Sequence, residues 1–201
     1  LSFLYRLGEK SLSHIDTALV ARTHNVPAQV TTLGKRFATW AEELIFAIKH
    51  LQELQRRLPL RGIKGAVGTS QDAIDLLGSS QSGIDQEITK ALGFETLAIS
   101  PSQIYPRSID FEVLATLVQL SAAASNMATN VRLMSGYGLV SEGFNSDQVG
   151  SSAMPHKVNA RLSERINGLA VVLKGYALMI SEISGNQWNE GDVSCSVVRR
   201  V

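Results

Sequence analysis

The sequence predicts an all-α protein built as a bundle of long antiparallel helices. In three stretches, apolar residues recur alternately four and three positions apart, and only a helix gathers such positions on one face. Strand patterns are weak along all 201 residues. Apolar residues make up 44% of the chain and charged residues 18%, which is typical of a protein with a sizeable core and excludes a disordered one.

The predicted helices follow in chain order. The first runs from Leu4 to about Arg22. Each of the other three is defined by a seam of apolar residues and is followed by a residue that commonly ends helices, namely Pro59, Gly136 or Gly185. The seams are Leu33, Phe37, Trp40, Leu44, Ala47, Leu51, Leu54 and Leu58; Val113, Leu117, Leu120, Ala124, Met127, Val131 and Met134; and Leu162, Ile166, Leu169, Leu173, Tyr176, Ile180 and Ile183. We interpret the seam residues as core packing.

The joints between these helices are rich in polar residues, glycine and proline. They carry more chemically specific side chains than plain turns need, so they are the candidate positions for function. The four joints are residues 22–29, 63–69, 100–107 and 141–159.

Charge and composition exclude several classes of protein. Nineteen basic and eighteen acidic residues give a net charge of +1, which indicates no affinity for nucleic acid or for an anionic membrane. The single cysteine, Cys195, excludes an internal disulfide framework and a CxxC metal site. No pair of His, Asp, Glu or Cys has metal-ligand spacing and no phosphate-binding glycine loop is present, so we expect neither a metal nor a cofactor.

The location of the protein is predicted from the same kind of evidence. No apolar run reaches the length of about 20 residues that a membrane span needs, and Glu9 and Lys10 come too early for a signal peptide. We therefore expect a soluble protein of the cytoplasm. Because the chain starts at Leu1 and ends at Val201 without a polar linker, we also expect it to be a piece of a longer polypeptide.

The segment around Ser151 and Ser152 carries the strongest chemical signal. Pro155 suits the first turn of a helix, so both serines are predicted at or just before a helix N-terminus, where free amides and the helix dipole favour negative charge. Lys157 adds a full positive charge. Such a place stabilises a carboxylate or a serine alkoxide. The alternative is an ordinary serine N-cap on a glycine-containing loop.

His24 is the second candidate, because it lies in a polar joint beside Thr23 and histidine transfers protons near neutral pH. A lone histidine is more often structural, and His156 has the alternative role of shaping its loop. A hydrolase that uses Ser151 and His24 is disfavoured, because the sequence has no G-x-S-x-G elbow. The residues alone thus predict an anion site with serine and histidine and name no substrate.

Two segments resemble the signatures of the fumarase/aspartase superfamily, whose members eliminate fumarate from a succinyl group. Residues 150–159, GSSAMPHKVN, resemble the signature GSSxMPxKxN, and residues 22–34, RTHNVPAQVTTLG, resemble the signature TH-x-x-x-A-x-x-TT-x-G. The resemblance covers essentially the whole chain. It implies that residues 1–201 form the central helical domain of a longer lyase, with the N-terminal and C-terminal domains absent from this chain. It also implies a homotetramer whose active sites are shared between subunits.

Three further features resemble the adenylosuccinate lyase family within this superfamily. They are the sequence SSAMPHK at residues 151–157, the pair of segments 64–69 and 103–107, and the final segment 192–200. The resemblance implies a C–N lyase of purine nucleotide biosynthesis with a small-molecule nucleotide substrate. Such an enzyme releases fumarate from adenylosuccinate to give AMP, and from the succinylated aminoimidazole carboxamide ribotide to give the free ribotide.

The resemblance also implies the roles of the catalytic residues. Ser151 is the general base that removes the Cβ proton of the succinyl group, and Ser152 holds one of its carboxylates. His24 is the general acid that protonates the departing nitrogen, with Thr23 binding beside it. Physical reasoning alone does not decide which of the two adjacent serines is the base.

The remaining residues implied by the resemblance bind the substrate. Lys157 and Asn159 hold the succinyl carboxylates and stabilise the aci-carboxylate that forms as the proton leaves. Gln103 contacts the substrate, and Ser196 and Arg200 bind the nucleotide phosphate, for which a guanidinium is suited. The segment 146–159 closes over the substrate as a lid.

The sequence departs from the family pattern at two places. Ala160 stands where many members have proline. No arginine lies just upstream of the phosphate-side serine, where the chain reads Trp188-Asn189-Glu190-Gly191. One phosphate contact is therefore absent or comes from elsewhere. The alternatives are another fumarate-releasing lyase, such as argininosuccinate lyase or fumarase, and a structural oligomerisation module without activity.

Overall fold

The computed structural model describes residues 1–78, 83–143, 150–154, 156–192 and 195–201. Within these ranges the chain is mainly helical, as predicted. The helices are α1 Ser2–Ser13, α2 Leu33–Arg57, α3 Gln71–Leu77, α4 Ile84–Ala91, α5 Ser108–Gly136, α6 Arg161–Ile183 and α7 Cys195–Val198. The strands, which form three two-stranded sheets, are β1 Ala18–Thr23, β2 Val26–Thr32, β3 Pro59–Leu60, β4 Thr96–Leu97, β5 Gln187–Trp188 and β6 Gly191–Asp192.

The three long helices lie where the apolar seams predict them, and α2 and α5 are antiparallel. Asn126 of α5 donates its side-chain amide to Glu43 of α2 at 2.8 Å. Arg36, earlier in α2, reaches Met134, later in α5, with 3.4 Å between Nη1 and Sδ. Residue numbers therefore rise along one helix as they fall along its neighbour, which confirms the predicted antiparallel arrangement for this pair.

The predicted first helix is wrong beyond residue 13. The chain there forms a β-hairpin, in which β1 pairs with β2 from Ala18 opposite Thr32 to Thr23 opposite Val26. Six of the 13 residues in these strands are valine or threonine, whose branched side chains favour extended backbone. The two residues of the turn both adopt positive φ, which matches the twist of hairpin strands. Helical spacing of the leucines before residue 20 concealed this pattern.

Contacts divide the chain into two compact units. Unit 1 contains residues 1–48 and 119–172, and unit 2 contains residues 49–118 and 173–201. The core of unit 1 gathers buried side chains from α1, α2 and α5, and Leu19 of β1 packs against them. These buried residues are Leu7, Trp40, Leu44, Ala123 and Met134. The first two seams are thus confirmed as core positions in this unit.

Unit 2 holds a smaller apolar core and most of the short elements. Ile180 and Ile183 at the end of α6 pack with Leu114 of α5 and Val198 of α7. The parallel pair β3–β4 and the antiparallel pair β5–β6 belong to this unit. The segments that carry Gln103 and Arg200 are therefore built on the same body as the end of α6.

The third seam differs from the prediction of core packing. Ile180 and Ile183 are buried, but Leu162, Leu169 and Tyr176 are exposed. By length and composition α6 also meets the requirement for a membrane span, contrary to the expectation from the sequence. That evidence is weak, because an apolar helix that packs against other protein meets the same requirement. The helix presents exposed apolar side chains that no described residue of this chain buries.

Candidate active site

The β1–β2 hairpin of unit 1 places Thr23 and His24. Thr23 is the last residue of β1, and His24 with Asn25 forms the two-residue turn at φ of 50° and 64°. Asn25 donates its side-chain amide to the Tyr137 hydroxyl at 2.9 Å, and the Arg22 guanidinium lies 4.3 Å from the centre of the same ring. The turn is therefore anchored on the residue that follows α5, while His24 is exposed and available to a ligand.

The serine segment lies farther from a helix than predicted. Helix α6 begins at Arg161, so Ser151 and Ser152 do not lie at its N-terminus. Ser151 is half-buried and Ser152 exposed, in irregular backbone. Pro155, from which the helix start was predicted, and residues 146–149 of the predicted lid lie outside the described residues.

The N-terminal amides of α6 bind Glu142 instead of a serine. One carboxylate oxygen of Glu142 accepts the Leu162 amide at 2.9 Å, and the other accepts the Ser163 amide at 2.7 Å and the Ser163 hydroxyl at 2.5 Å. Burial alone would raise the pKa of Glu142, but the hydrogen bonds from Ser163 and Leu162 outweigh it and lower this pKa. The helix dipole that we expected to act on Ser151 is thus neutralised by a carboxylate that sequence reasoning missed.

Lys157 and Asn159 line a cleft of about 450 Å³ in unit 1. Arg132, Arg161 and Glu164 line it as well, so three cations face one carboxylate. Arg161 pairs with Glu164 at 2.8 Å, while Arg132 donates to the neutral side-chain oxygen of Asn167 at 3.1 Å. The cleft therefore carries an excess of positive charge, which suits a ligand with two carboxylates.

A second basic cleft of about 530 Å³ lies beside the hairpin and is lined by Arg22, Lys35 and Arg36. Burial lowers the pKa of Arg36, and the nearby charge of Arg22 lowers it further. The three basic side chains outnumber the one carboxylate that lines this cleft, that of Glu43, so the cleft carries positive charge and suits an anion. Sequence reasoning had assigned Arg22 only to a joint, because nothing local showed that Arg36 comes near it.

In unit 2, Gln103 lies on a loop that hydrogen bonds from Arg61 hold in place. The Arg61 guanidinium donates to the backbone oxygen of Ser102 from Nη2 at 2.8 Å and from Nε at 3.2 Å. It also donates to the backbone oxygens of Lys64 and Gly65 at 3.3 and 3.2 Å. One side chain thus joins the two segments, 64–69 and 103–107, that the sequence analysis had singled out together.

Ser196 and Arg200 lie in and just after the short helix α7 of unit 2, and both are exposed. The Arg200 amide donates to the Val197 oxygen at 3.0 Å, so the helical turn continues to this residue. Their neighbour Arg199 contacts Tyr105 and Asp110. Two successive arginines therefore differ in environment, which the sequence did not indicate.

The predicted site residues fall on both units. Unit 1 carries Thr23 and His24 on the hairpin, and it brings Lys157 and Asn159 into one cleft. The serine pair precedes that cleft in the chain, and no hydrogen bond among the described residues joins either serine to His24. Unit 2 carries the residues predicted to contact the nucleotide. In the described part of the chain, no group of three His, Cys, Asp or Glu side chains is placed to hold a metal ion.

Comparison with known proteins gives consistent matches. A family model described as lyase matches residues 2–175. The chain is 36% identical to adenylosuccinate lyase of Schistosoma mansoni, over 98% of this chain and 42% of that protein. It is 35% identical to adenylosuccinate lyase of Pyrococcus abyssi, over 97% of this chain and 42% of that protein. The chain thus spans about two fifths of the length of these relatives.

A solved structure is similar as well. The 3-carboxy-cis,cis-muconate lactonizing enzyme of Pseudomonas putida matches with a TM-score of 0.80 and 26% sequence identity. The match covers 98% of this chain and 43% of that one. The helical architecture described above is therefore shared along almost the whole chain.

Proposed function

Because the chain belongs to the lyase family whose model matches residues 2–175, we propose that it is the central part of an adenylosuccinate lyase. Such an enzyme releases fumarate from adenylosuccinate and from the succinylated aminoimidazole carboxamide ribotide. The observation that carries the proposal is the near-complete alignment with adenylosuccinate lyases of distant organisms. The basic cleft around Lys157 supports it, because the succinyl group to be eliminated carries two carboxylates.

The proposed reaction is a β-elimination. Ser151 removes the Cβ proton, and the electron pair moves into the neighbouring carboxylate to give an aci-carboxylate. Lys157 and Asn159, with the positive field of Arg132 and Arg161, stabilise that added charge. The pair then returns to form the double bond of fumarate while the C–N bond breaks, and His24 protonates the departing nitrogen.

In this proposal, residues of unit 2 bind the nucleotide end of the substrate. Gln103 contacts the substrate, and Ser196 and Arg200 bind the phosphate. Their exposure on α7 and just after it supports this role, because a phosphate ligand needs accessible donors. Ser152 and Thr23, both exposed, complete the set of proposed substrate contacts in unit 1.

The assembly is proposed to be a homotetramer with shared active sites. The exposed apolar residues of α6 support this, because water-exposed leucine and valine in such a cluster mark a contact surface. Five of them are more than half exposed, which decides against a core role within this chain: Leu162, Leu169, Val171, Val172 and Leu178. Parts of the relatives that this chain does not match are proposed to complete each site.

The test is a spectrophotometric assay of the complete protein with adenylosuccinate, beside the variants Ser151→Ala and Ser152→Ala. We expect the parent to form fumarate and AMP. Loss of a general base lowers rates by about 10²–10⁴-fold, so Ser151→Ala should lose that much kcat, whereas Ser152→Ala should chiefly raise KM.

Two results would contradict the proposal in different ways. A parent that turns over argininosuccinate or malate but not adenylosuccinate is another fumarate-releasing lyase. If the parent turns over none of the three substrates, the remaining alternative is a structural oligomerisation module without activity. If Ser152→Ala loses kcat and Ser151→Ala does not, the base is assigned to the wrong serine.

A further inference from the structure

Four charged side chains and one aromatic ring of unit 2 form a cluster between the Gln103 loop and helix α7. We call it the Tyr105 cluster, and its members are Tyr105, Arg107, Asp110, Asp192 and Arg199. No residue of the cluster was assigned a role in the sequence analysis. Its position between two groups of proposed nucleotide contacts makes it relevant to the site.

The inner half of the cluster is a buried ion pair. The Arg107 side chain is only 3% exposed, and its guanidinium binds both oxygens of Asp192, at 3.0 and 2.7 Å. The third guanidinium nitrogen of Arg107, Nη1, lies 3.6 Å from Asp110 Oδ2, and the guanidinium carbon lies 4.7 Å from the centre of the Tyr105 ring. A bidentate pair of this kind fixes both distance and angle, so it holds the start of α5 against β6.

The outer half of the cluster is made by Arg199. Its Nη2 donates to the Tyr105 hydroxyl at 2.7 Å, and its Nε lies 3.1 Å from Asp110 Oδ2. The Tyr105 hydroxyl in turn donates to Asp110 Oδ1 at 2.7 Å. Burial and the hydrogen bond to Asp110 raise the pKa of Tyr105, so the hydroxyl stays protonated at neutral pH and the triangle stays intact.

Helix α7 needs such an anchor because it is only four residues long. A single turn does not hold its own backbone in water. Val198 packs on the small core of unit 2, and one residue later Arg199 adds a hydrogen bond to Tyr105 and an ion pair with Asp110. Between them these two residues fix the rotation of the turn on which Ser196 and Arg200 lie.

The two successive arginines therefore have separate tasks. Arg199 has its Nε and Nη2 committed to Asp110 and Tyr105, and Asp110 compensates its charge. Arg200 is exposed, and among the described residues its side chain forms no ion pair. Its charge is thus available to an anion while that of its neighbour is not.

We propose that Arg199 is a positioning residue, which through Tyr105 and Asp110 holds α7 so that Ser196 and Arg200 meet the phosphate of the nucleotide. Arg199 does not itself bind that phosphate. The inference rests on the proposed function, because it takes the phosphate-bearing substrate from there. The inference adds Arg199 to the residues that determine the preference for a phosphate-bearing substrate, and it explains how Arg199 acts.

The test compares the affinities of AMP and adenosine for the complete protein by isothermal titration calorimetry. The two probes differ only in the phosphate, so their ratio isolates the contact that α7 provides. The variants are Arg199→Met, Arg200→Met, the double variant, Arg199→Lys and Tyr105→Phe, with Arg56→Met as control. Arg56 is exposed and pairs with its helix neighbour Glu53.

We expect Arg200→Met to weaken AMP binding by about 10–100-fold with little effect on adenosine, as for loss of a hydrogen bond to a charged group. Arg199→Met should weaken AMP binding selectively too, by about tenfold. The double variant should lose less than the product of the two single losses, because without Arg200 only the Ser196 contact still depends on Arg199. Arg199→Lys and Tyr105→Phe should fall between Arg199→Met and the parent, since each keeps part of the triangle. Arg56→Met should match the parent.

Three results would overturn the inference. In the first, Arg199→Met lowers the unfolding temperature but leaves the ratio of AMP to adenosine affinity at its parent value. Arg199 would then have only a structural role. A double variant whose loss is the product of the single losses shows that Arg199 contacts phosphate directly. A parent that binds AMP no better than adenosine has no phosphate site for Arg199 to position. Failure of the proposed function is seen separately, as absence of adenylosuccinate turnover in a parent that still prefers AMP.

Discussion

At the scale of single residues, Glu142 has the most clearly defined structural role in unit 1. Its carboxylate accepts three hydrogen bonds from the first turn of α6 and thereby replaces the serine cap that the sequence suggested. The pKa of Glu142 is lowered by those bonds, which means that folding favours its ionised form. The charge of one residue thus affects the helix that follows the serine segment.

Replacing Glu142 with Gln should lower the free energy of unfolding by about 1–2 kcal/mol at pH 7, as for loss of a helix cap. A lowered folded-state pKa gives stability that is present above the unfolded value of about 4.3 and is lost as pH falls through the folded value. The difference between parent and variant should therefore shrink below about pH 4. Urea denaturation at pH 7 and pH 3.5 measures it, with exposed Glu42→Gln as control. A difference independent of pH would contradict this role.

His24 combines a conformational role with the proposed chemical one, and a substitution separates them. Asparagine tolerates the positive φ of 50° at this position but does not transfer protons near neutral pH. We expect His24→Asn to leave the unfolding temperature within a degree or two of the parent and to lower kcat for adenylosuccinate by about 10²–10⁴-fold. His50→Asn, on α2, is the matched control. A variant with normal kcat would exclude His24 as the acid.

The elements show what the sequence could predict and what it could not. The helices α2, α5 and α6 were predictable because their apolar periodicity runs for several turns. The hairpin was not, because the alternating pattern of Val20 and its neighbours is short and the turn at His24 lacks the usual Asn-Gly signal. The resemblance to the family signature predicted Lys157 and Asn159 as site residues, and both line one cleft. Glu142, Arg61 and Arg199 in contrast act through partners remote in sequence. Such contacts follow from packing and have no local signature.

The segment 64–69 and the Gln103 loop approach each other at Gly68. A Cβ at Gly68 would lie 2.1 Å from the backbone oxygen of Pro101 and 2.8 Å from the Cα of Ser102, and φ is +83°. Gly68→Ala should therefore displace the Gln103 loop, lower stability by about 1–3 kcal/mol and raise KM. Gly138→Ala has a similar φ of +70° with nothing nearby, so it isolates the cost of the conformation. If Gly68→Ala and Gly138→Ala change the unfolding temperature and KM equally, the close approach of Gly68 to the Gln103 loop has no role.

At the scale of the whole molecule, the apolar face of α6 predicts how copies of the protein associate. Leu169 and Val172 are 61% and 51% exposed and lie on one side of the helix, while Lys174 points to another side. Burying such a face stabilises an assembly by about 25 cal/mol per Å² of apolar surface, so a charge placed there should oppose assembly strongly. This makes α6 a better candidate for a subunit contact than for a membrane span.

Leu169→Glu and Val172→Glu in the complete protein should each shift the mass measured by analytical ultracentrifugation from a tetramer toward smaller species, whereas Lys174→Glu should not. If active sites are shared between subunits, turnover of adenylosuccinate should fall in parallel with the loss of tetramer, and raising the protein concentration should restore both together. Dissociation with full activity would show that each site belongs to one subunit. An unchanged tetramer in both variants would mean that the α6 face meets some other part of the protein, and the assembly would have to be assigned to a different surface.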